Sequence, residues 1–496
     1  MLLIACSRLL GFIVTDDAYI DYRFAQNVSD GLGFVFNAGE RVEGYSNFLW
    51  VLLISALFKL GIDPIVGSKL LGVVCAVLSL FAMAALVDRV APDRQQTSGI
   101  ACLLLATSIP FVVWSVSGLE TPLYLLLVTL ALYLHVRFVQ DGRRSRSLLV
   151  ASSLTFVALA LTRAEGPILF VGVLCLDWID TTSERRTLWL WAAIFLAIYV
   201  SYFVWRSVYF QSSLPNSVHA KAGGGIDRLV LGFHYVREFV RENEGAAFYL
   251  AIAGVWARRR GLDYALRLLL VCLFTLIAFT VYAGGDWMIA HRFVVPALPI
   301  AYLLVQEGAA EISRLIRVAP RPKRVALALA AVIGVLIVRE SSYRATMAHM
   351  IRENVKWGNY EQLRRWMKSN LPSQSLVALG SAGIIPFYSG MRIVDMYGLM
   401  DATIARQGRA EQEGATFTRT HAAYVLSRRP DYVLLYGTWT ESARGMRLEG
   451  TTPYSRDMLS KPEFEAAYAV MREQCRQAAC DGNEKMVLYQ RRPIGR

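Results

Sequence analysis

The stretch TDDAYIDYRFAQNVSDGLGFVFNAGERVEGYSNFLW, residues 15–50, follows an apolar run with no spacer and opens on two adjacent carboxylates, Asp16 and Asp17. A carboxylate at the centre of a bilayer costs roughly 2.5–3.5 kcal/mol, so a doublet kept at a membrane edge is expensive and marks a candidate for chemistry at that surface. The membrane is read from the rest of the chain. Of 496 residues, 55% are hydrophobic and 18% charged, against about 25% charged in soluble proteins. This is the composition of an α-helical polytopic membrane protein. The net charge of +13 falls mostly in short loops between apolar runs. There it reports topology, and nucleic acid is not an expected partner.

Apolar runs at about 2–14, 65–87, 98–115, 122–139, 147–162, 166–180, 188–208, 246–257, 264–283, 293–306 and 324–338 predict eleven spans, several of them short. The first is shorter than the roughly 20 residues a span needs and is interrupted by Arg8. It is either abbreviated or starts upstream. LIAC at 3–6 has no apolar stretch ahead of it, so it does not read as a lipoprotein cleavage box. Basic clusters fall in every second loop: Arg89 and Arg94, RRSR at 143–146, Arg185–Arg186, RRR at 258–260 and RPKR at 321–324. The positive-inside rule puts these in the cytoplasm and the intervening loops on the opposite face. The alternation holds if NFLWVLLISALFKLG (47–61) does not cross, which makes it a juxtamembrane helix at the outer surface or a shallow re-entrant one; residues 227–242 read as a second, interfacial amphipathic helix. After residue 340 the chain stays polar, and SLVALG (375–380), DYVLLYG (431–437) and EKMVLYQ (484–490) alternate with helical stretches such as EQLRRWMKSN (361–370). The organisation expected is a membrane catalytic domain over 1–340, its first outer loop at 15–63, and a soluble α/β domain over 341–496 facing the periplasm of a bacterial inner membrane. Cys6, Cys75, Cys102, Cys175 and Cys272 lie in apolar runs and act as small hydrophobes; Cys475 and Cys480, in CRQAAC, are placed for a short disulfide outside the cytosol.

The outer loops are dense in acids, bases and amides. Beside the doublet stand Arg23, Glu43, Tyr45, Asn47, Glu120, Arg163, Glu165, Asn216, His219, Lys221, Asp286, His291 and Arg292. Each has a plainer reading alone: Arg163 with Glu165 as an interface pair, Asn216 as a turn residue after Pro215, His291 and Arg292 as caps, the doublet as a helix N-terminus with Thr15 or Asp16 as cap. Their convergence on one face favours a site. There Asp16 or Asp17 takes a proton from a hydroxyl, while Lys221, Arg163, His291 and Arg292 neutralise a departing phosphate. No glycine-rich phosphate loop is present, so a soluble nucleotide donor finds no cradle.

The doublet with VEGYSN, then SGLETPLY, TRAEG, PNSVHAK, GGDWM with HRFVVPALP, and VDMYGLMDATIAR, in that order, resemble the bacterial arabinofuranosyltransferase family typified by the mycobacterial terminal β-(1→2)-arabinofuranosyltransferase, within the GT-C class of polytopic glycosyltransferases. The resemblance runs from about residue 15 to 405. It implies an inverting transferase whose catalytic acid lies in the first outer loop, at Asp16–Asp17 with preference for Asp17. It also implies decaprenyl-phosphoryl arabinofuranose as donor and an envelope glycan, glycolipid or surface protein as acceptor. No cofactor or metal is expected to be required, although the doublet with Asp286 is a conceivable divalent-cation set. The rival classes are a flippase for lipid-linked sugar, which needs ionisable groups near the bilayer midplane, and a non-catalytic envelope protein linked to motility.

Overall fold

The computed structural model describes residues 15–90, 99–180, 185–244, 252, 255–256, 263–316, 321–413, 416–442, 445–471 and 485–493. The expected first span, Arg94, the cluster at 258–260, most of the run at 246–257 and the Cys475–Cys480 pair lie outside the described residues.

Helix α1 (Asp16–Ser29) begins at the doublet. Thr15 takes the N-cap position in extended backbone but its side chain makes no capping bond, so two first-turn carboxylates at the positive end of the helix dipole do the stabilising. Helix α2 (Phe48–Lys59) has 12 residues, about 18 Å at 1.5 Å per residue, too short for ~30 Å of hydrocarbon. It buries Trp50, Val51 and Ile54 against the bundle. The 27-residue α3 (Pro64–Val90) is long enough to cross. The run expected as a span over 98–115 is instead broken into α4 (Ile100–Ala106) and α5 (Ile109–Ser115). Pro110 explains the break: it lacks the N–H that a continuous helix would give to the Ala106 carbonyl and its ring would crowd that carbonyl, so it stands instead in the first turn of α5, where no such bond is needed.

Next come α6 (Thr121–Gln140), α7 (Arg146–Thr162), α8 (Gly166–Asp180) and α9 (Arg185–Phe210). The short α10 (Asn216–Ala220) leads to α11 (Gly225–Phe239), which runs into a π turn at Val240–Glu244. The amphipathic expectation holds for α11: Ile226, Leu229, Val230 and Phe233 form one exposed apolar stripe while Tyr235 and Phe239 are buried. A Cβ on Gly232 would collide with the Val281 backbone, which is how α11 lies so close to α12 (Tyr264–Ala283). The predicted span at 293–306 opens as a 3-10 turn, Arg292–Ala297, and continues as α13 (Leu298–Ile316). Among the described residues, α3, α6, α9, α12 and the segment Arg292–Ala310 are long and apolar enough to cross a membrane.

At one end of the bundle a buried polar knot ties α6, α7, α8 and α12. His135 Nε2 lies 3.1 Å from Asp177 Oδ2 and 3.0 Å from Tyr264 OH, its Nδ1 lies 3.2 Å from Ser152 Oγ, and Arg143 Nη2 donates to Asp177 Oδ1 at 2.9 Å. Asp177 is fully buried, a position tolerable only because both oxygens are paired.

The run predicted at 324–338 is the beginning of α14 (Arg321–Asn370), one helix of 50 residues, about 75 Å long. It carries the chain without interruption past residue 340 into the α/β part, where Trp357, Tyr360, Leu363 and Met367 are buried. There β1 (Leu376–Leu379), β2 (Arg392–Asp395), β5 (Tyr432–Ser442), β6 (Gly445–Gly450), β7 (Tyr468–Val470) and β8 (Lys485–Arg491) form a six-stranded sheet of order β2-β1-β5-β8-β7, with β6 on the far half of β5. β1 is parallel to β2, with Leu376 opposite Arg392, and parallel to β5 through Val377 opposite Tyr432. β8 returns antiparallel to β5, Leu434 facing Leu488. β3 (Arg409–Glu413) and β4 (Thr416–Thr420) make a separate antiparallel hairpin. Helix α15 (Ile384–Ser389) bridges β1 and β2, and α16 (Ala402–Gln407) follows β2. One continuous apolar core runs from the membrane helices into this sheet.

Candidate active site

The two carboxylates of the doublet face different surroundings. Asp16 is buried and accepts the backbone N–H groups of Ile384 at 2.7 Å and Gly383 at 3.1 Å. A Cβ on Gly383 would collide with the Asp16 carbonyl oxygen; only glycine lets the two segments approach so closely. Burial pushes the Asp16 carboxyl up to about 7. Seven residues along α1, Arg23 holds the other end of α15. It donates to Pro386 O and Met391 O at 2.8 Å each, to Phe36 O at 2.8 Å and to Asn37 Oδ1 at 3.3 Å. A carboxylate at the start of α15 and a guanidinium at its end both complement its dipole.

Asp17, partly open, lines two adjoining cavities, one of about 260 Å³ and one of about 400 Å³. Lys221 stands in the same shared wall. Burial raises the Asp17 carboxyl above its ordinary range even though Lys221 and Arg292 pull it down.

The first cavity is walled by ends of membrane helices. Asn47 Nδ2 donates to Asp21 Oδ2 at 2.7 Å and to Glu120 Oε2 at 3.1 Å. Glu120, at the N-cap of α6, also accepts Arg163 Nη1 at 2.6 Å, and Arg163, the C-cap of α7, gives its Nε to Glu165 Oε1 at 2.6 Å. Against the cost of burial, Arg163 and Arg292 hold the Glu120 carboxyl below its usual value. Burial and then the neighbouring Glu120 push Asp21 far above its own. Arg292 Nε lies 2.7 Å from Asp286 Oδ2 as an ion pair outside the hydrogen-bonding direction. Its guanidinium stands 5.3 Å above the Phe293 ring. Gly284 and Gly285, with φ of +83° and +78°, reverse the chain after α12 and bring Asp286 inward. Ala290 and His291, at φ +53° and +47°, hold left-handed backbone that non-glycine residues rarely adopt; such strain gathers at functional sites, and here it delivers Arg292 to the wall. Tyr45 OH, Asn47 Oδ1 and Glu165 Oε2 are buried without a hydrogen-bond partner among the described residues, in a wall where a polar ligand or water would satisfy them.

The residues expected at the site therefore divide. Asp17, Tyr45, Asn47, Glu120, Arg163, Glu165, Lys221, Asp286 and Arg292 line the first cavity, and Asp16 and Asp17 line the second. Arg23 is used up in the clamp on α15. Glu43 accepts Arg206 Nε at 2.8 Å on both oxygens, and Asn216 Nδ2 donates to Gly398 O and Leu399 O at 2.7 and 2.9 Å; both lie behind the wall and fasten loops. The His219 carbonyl accepts Arg419 Nε at 3.1 Å, and its ring is outside both cavities. His291 packs its ring 4.9 Å from Tyr235 and 5.6 Å from Phe239, away from the site. Two charged residues lining the first cavity escaped the motif reading. Asp21 stands one turn after Asp17 on the same face of α1, a spacing visible in DDAYID. Arg228 sits on the amphipathic α11, donates to Ala283 O at 3.1 Å, and stands 5.6 Å above the Tyr282 ring. Neither Lys221 nor Arg228 forms an ion pair with a carboxylate among the described residues. No group of three His, Cys, Asp or Glu side chains able to hold a metal ion occurs among them either: Asp16 is taken by backbone N–H groups and Asp286 by Arg292.

A family model described as a domain of unknown function (DUF8728) matches residues 339–489. The chain is 29% identical over 242 residues to the terminal β-(1→2)-arabinofuranosyltransferase of Mycobacterium tuberculosis; the match covers 46% of this chain and 38% of that protein. Among solved structures, ArnT from Cupriavidus metallidurans bound to undecaprenyl phosphate superposes with a TM-score of 0.59 at 13% identity, over 98% of this chain and 96% of that one. The oligosaccharyltransferase AglB from Archaeoglobus fulgidus, in complex with an inhibitory peptide and a dolichol-phosphate, gives 0.57 at 13% identity over 95% and 78%. The chain thus has the GT-C polytopic membrane fold, with a C-terminal α/β unit, and in sequence it resembles the arabinofuranosyltransferases of that class.

Proposed function

We propose that this protein is an inverting glycosyltransferase that moves a sugar, arabinofuranose, from a polyprenyl-phosphate donor to a cell-envelope acceptor on the periplasmic face of a bacterial inner membrane. The observation that carries the proposal is the position of Asp17 in the wall between two cavities, which suits a base between two substrates. The acceptor hydroxyl oxygen attacks the anomeric carbon, Asp17 takes the hydroxyl proton, and the anomeric C–O bond breaks with its electron pair leaving on the phosphate. Attack opposite the leaving group inverts the anomeric centre. Lys221 and Arg228 are the cations with charge to spare for that phosphate. Arg163 and Arg292, already paired, keep the wall in shape. Tyr282, 65% exposed on α12 beside Arg228, marks the side from which a lipid carrier would enter. The sugar and the lipid donor are supported by the arabinofuranosyltransferase likeness and by the undecaprenyl phosphate and dolichol-phosphate of the two structural neighbours. Asp16 is assigned to docking. The test is release of polyprenyl phosphate from synthetic decaprenyl-phosphoryl arabinofuranose by purified protein; no release, with or without envelope extract as acceptor, would contradict the proposal.

A further inference from the structure

Lys221, one of the two cations assigned to the leaving phosphate, is supported from the far side of the site. It is the C-cap of α10 (Asn216–Ala220), a short helix that stands in the sequence among membrane segments. Its packing is mainly against α16 and β4 of the α/β unit. At the start of α10, Asn216 Nδ2 is anchored on Gly398 O and Leu399 O. At its end, Arg419 of β4 donates Nε to His219 O at 3.1 Å and Nη2 to Ala222 O at 3.0 Å, bracketing Lys221 along the chain. The same guanidinium gives Nη1 to Gly408 O at 2.8 Å, at the residue that ends α16. Three donors in one rigid plane hold these three carbonyls in a single arrangement.

The turn after Lys221 lets α10 follow the α/β unit while the next helix follows the bundle. Gly223, Gly224 and Gly225 all have positive φ, +80° at Gly224 and +48° at Gly225. The Phe417 ring of β4 lies so close over Gly224 that a Cβ there would collide with it; glycine alone meets both conditions. Beyond the turn, Arg228 of α11 donates Nε to Ala283 O at the end of α12 and reaches back to Lys221 O at 3.4 Å. Lys221 and Arg228 therefore arrive at the first cavity from two supports joined by three glycines. Arg419 lines neither cavity. A lysine ammonium meets phosphate as a point charge on a flexible four-carbon stem, so the anchoring of its backbone decides where that charge is delivered.

We infer that the α/β unit sets the place of the phosphate cation, and that Arg419 is a positioning residue fixing the backbone on either side of Lys221. The inference rests on the assignment of Lys221 to the leaving phosphate in the glycosyltransferase proposal, and binding measurements separate the two. Full-length wild type, Lys221→Ala, Arg419→Ala and the double variant are titrated with decaprenyl phosphate and, as an uncharged comparison, with decaprenol. Transfer from decaprenyl-phosphoryl arabinofuranose to a synthetic arabinofuranose disaccharide is measured in parallel. Expected is a decaprenyl phosphate Kd raised about tenfold or more in Lys221→Ala and about fivefold in Arg419→Ala, the double variant being no weaker than Lys221→Ala. The decaprenol Kd should stay within about twofold of wild type throughout. Arg419→Ala should raise donor KM about fivefold and leave acceptor KM unchanged, whereas a general loosening of the fold would move both and the decaprenol Kd with them. An Arg419→Ala effect that multiplies with that of Lys221→Ala, or a decaprenyl phosphate Kd unchanged in either single variant, would overturn the inference and leave the glycosyltransferase reading standing. Should Arg419→Ala not fold, Arg419→Lys, which keeps the charge and loses the three-way fork, is judged by the same criteria. If wild type cleaves no donor, the glycosyltransferase reading fails, and the four Kd values decide the inference by themselves.

Discussion

Replacing Asp17 by asparagine keeps the size of the side chain and removes its capacity to accept a proton. Transfer should fall by about 10²–10⁴-fold, the usual contribution of a general base, with the melting temperature unchanged. The same residue sets the pH profile. Its carboxyl is raised by burial and must be ionised to act, so activity is present at higher pH and lost as pH falls through a value above the ordinary ~3.9. A kcat/KM profile whose acid limb lies at 3.9 or lower would contradict this. Asp16 behaves differently. Its folded value of about 7 exceeds the unfolded ~3.9, so the folded state binds the proton more tightly. The stability this contributes is full below the unfolded value and lost as pH rises through about 7. Wild type should therefore lose melting temperature between about pH 4 and 7 relative to Asp16→Asn and run parallel to it above that; parallel behaviour of the two across pH 4–7 would refute the assignment. At this scale the sequence was informative about residue type and place, since DDAYID, SGLETP, TRAEG and GGDWM put most lining residues in view. It could not tell a lining arginine from a clamping one: Arg23 and Arg163 read alike until their partners are seen.

Among the elements, α15 is the part most exposed to test, because α1 grips it at both ends. Arg23→Ala would remove three bonds, to Phe36 O, Pro386 O and Met391 O; Phe36 O keeps Asn27 Nδ2 and Pro386 O keeps the Gly390 N–H, each at 3.1 Å, so the main cost is about 1–3 kcal/mol for the Met391 carbonyl left unsatisfied. Hydrogen exchange should show residues 384–395 losing protection before the membrane helices; uniform loss across the chain would argue against a local clamp. The helical pattern of the chain was legible from apolar runs and charge alternation, and the strands from short β-branched and aromatic segments. Pro110 signals the break between α4 and α5, which the length of the apolar run alone conceals. The unbroken α14 is not legible in the sequence because its polarity changes near residue 340 while its helical propensity does not.

For the molecule as a whole, the site and the α/β unit must share one side of the membrane. Cysteines introduced at Leu32 and Glu465 should react with an impermeant reagent from the periplasmic side and one at Arg144 only after permeabilisation; Leu32 and Arg144 reacting from the same side would undo the arrangement. Because Asp16 and Asp286 are engaged by protein groups, transfer should survive chelation by EDTA, and loss restored by magnesium or manganese would refute that. The cavities themselves were not legible in advance. Lys356, Ser381, Glu413 and Tyr436 carry no motif, and they share a cavity wall with Asp17 only because the long α14, the sheet and the β3–β4 hairpin come together beside α1. Patterns within a segment announce helices and strands, whereas a cavity is made by segments hundreds of residues apart.

In the proposed reaction Asp17 accepts the proton between a lipid-linked donor and its acceptor. Transfer of radiolabelled arabinofuranose from decaprenyl phosphate, measured for purified wild type and Asp17→Asn in the same membrane preparation, tests it most directly. Wild type should transfer, and a variant that folds and binds donor as before should lose at least about a hundredfold; transfer by the variant within a few-fold of wild type would rule out Asp17 as the base.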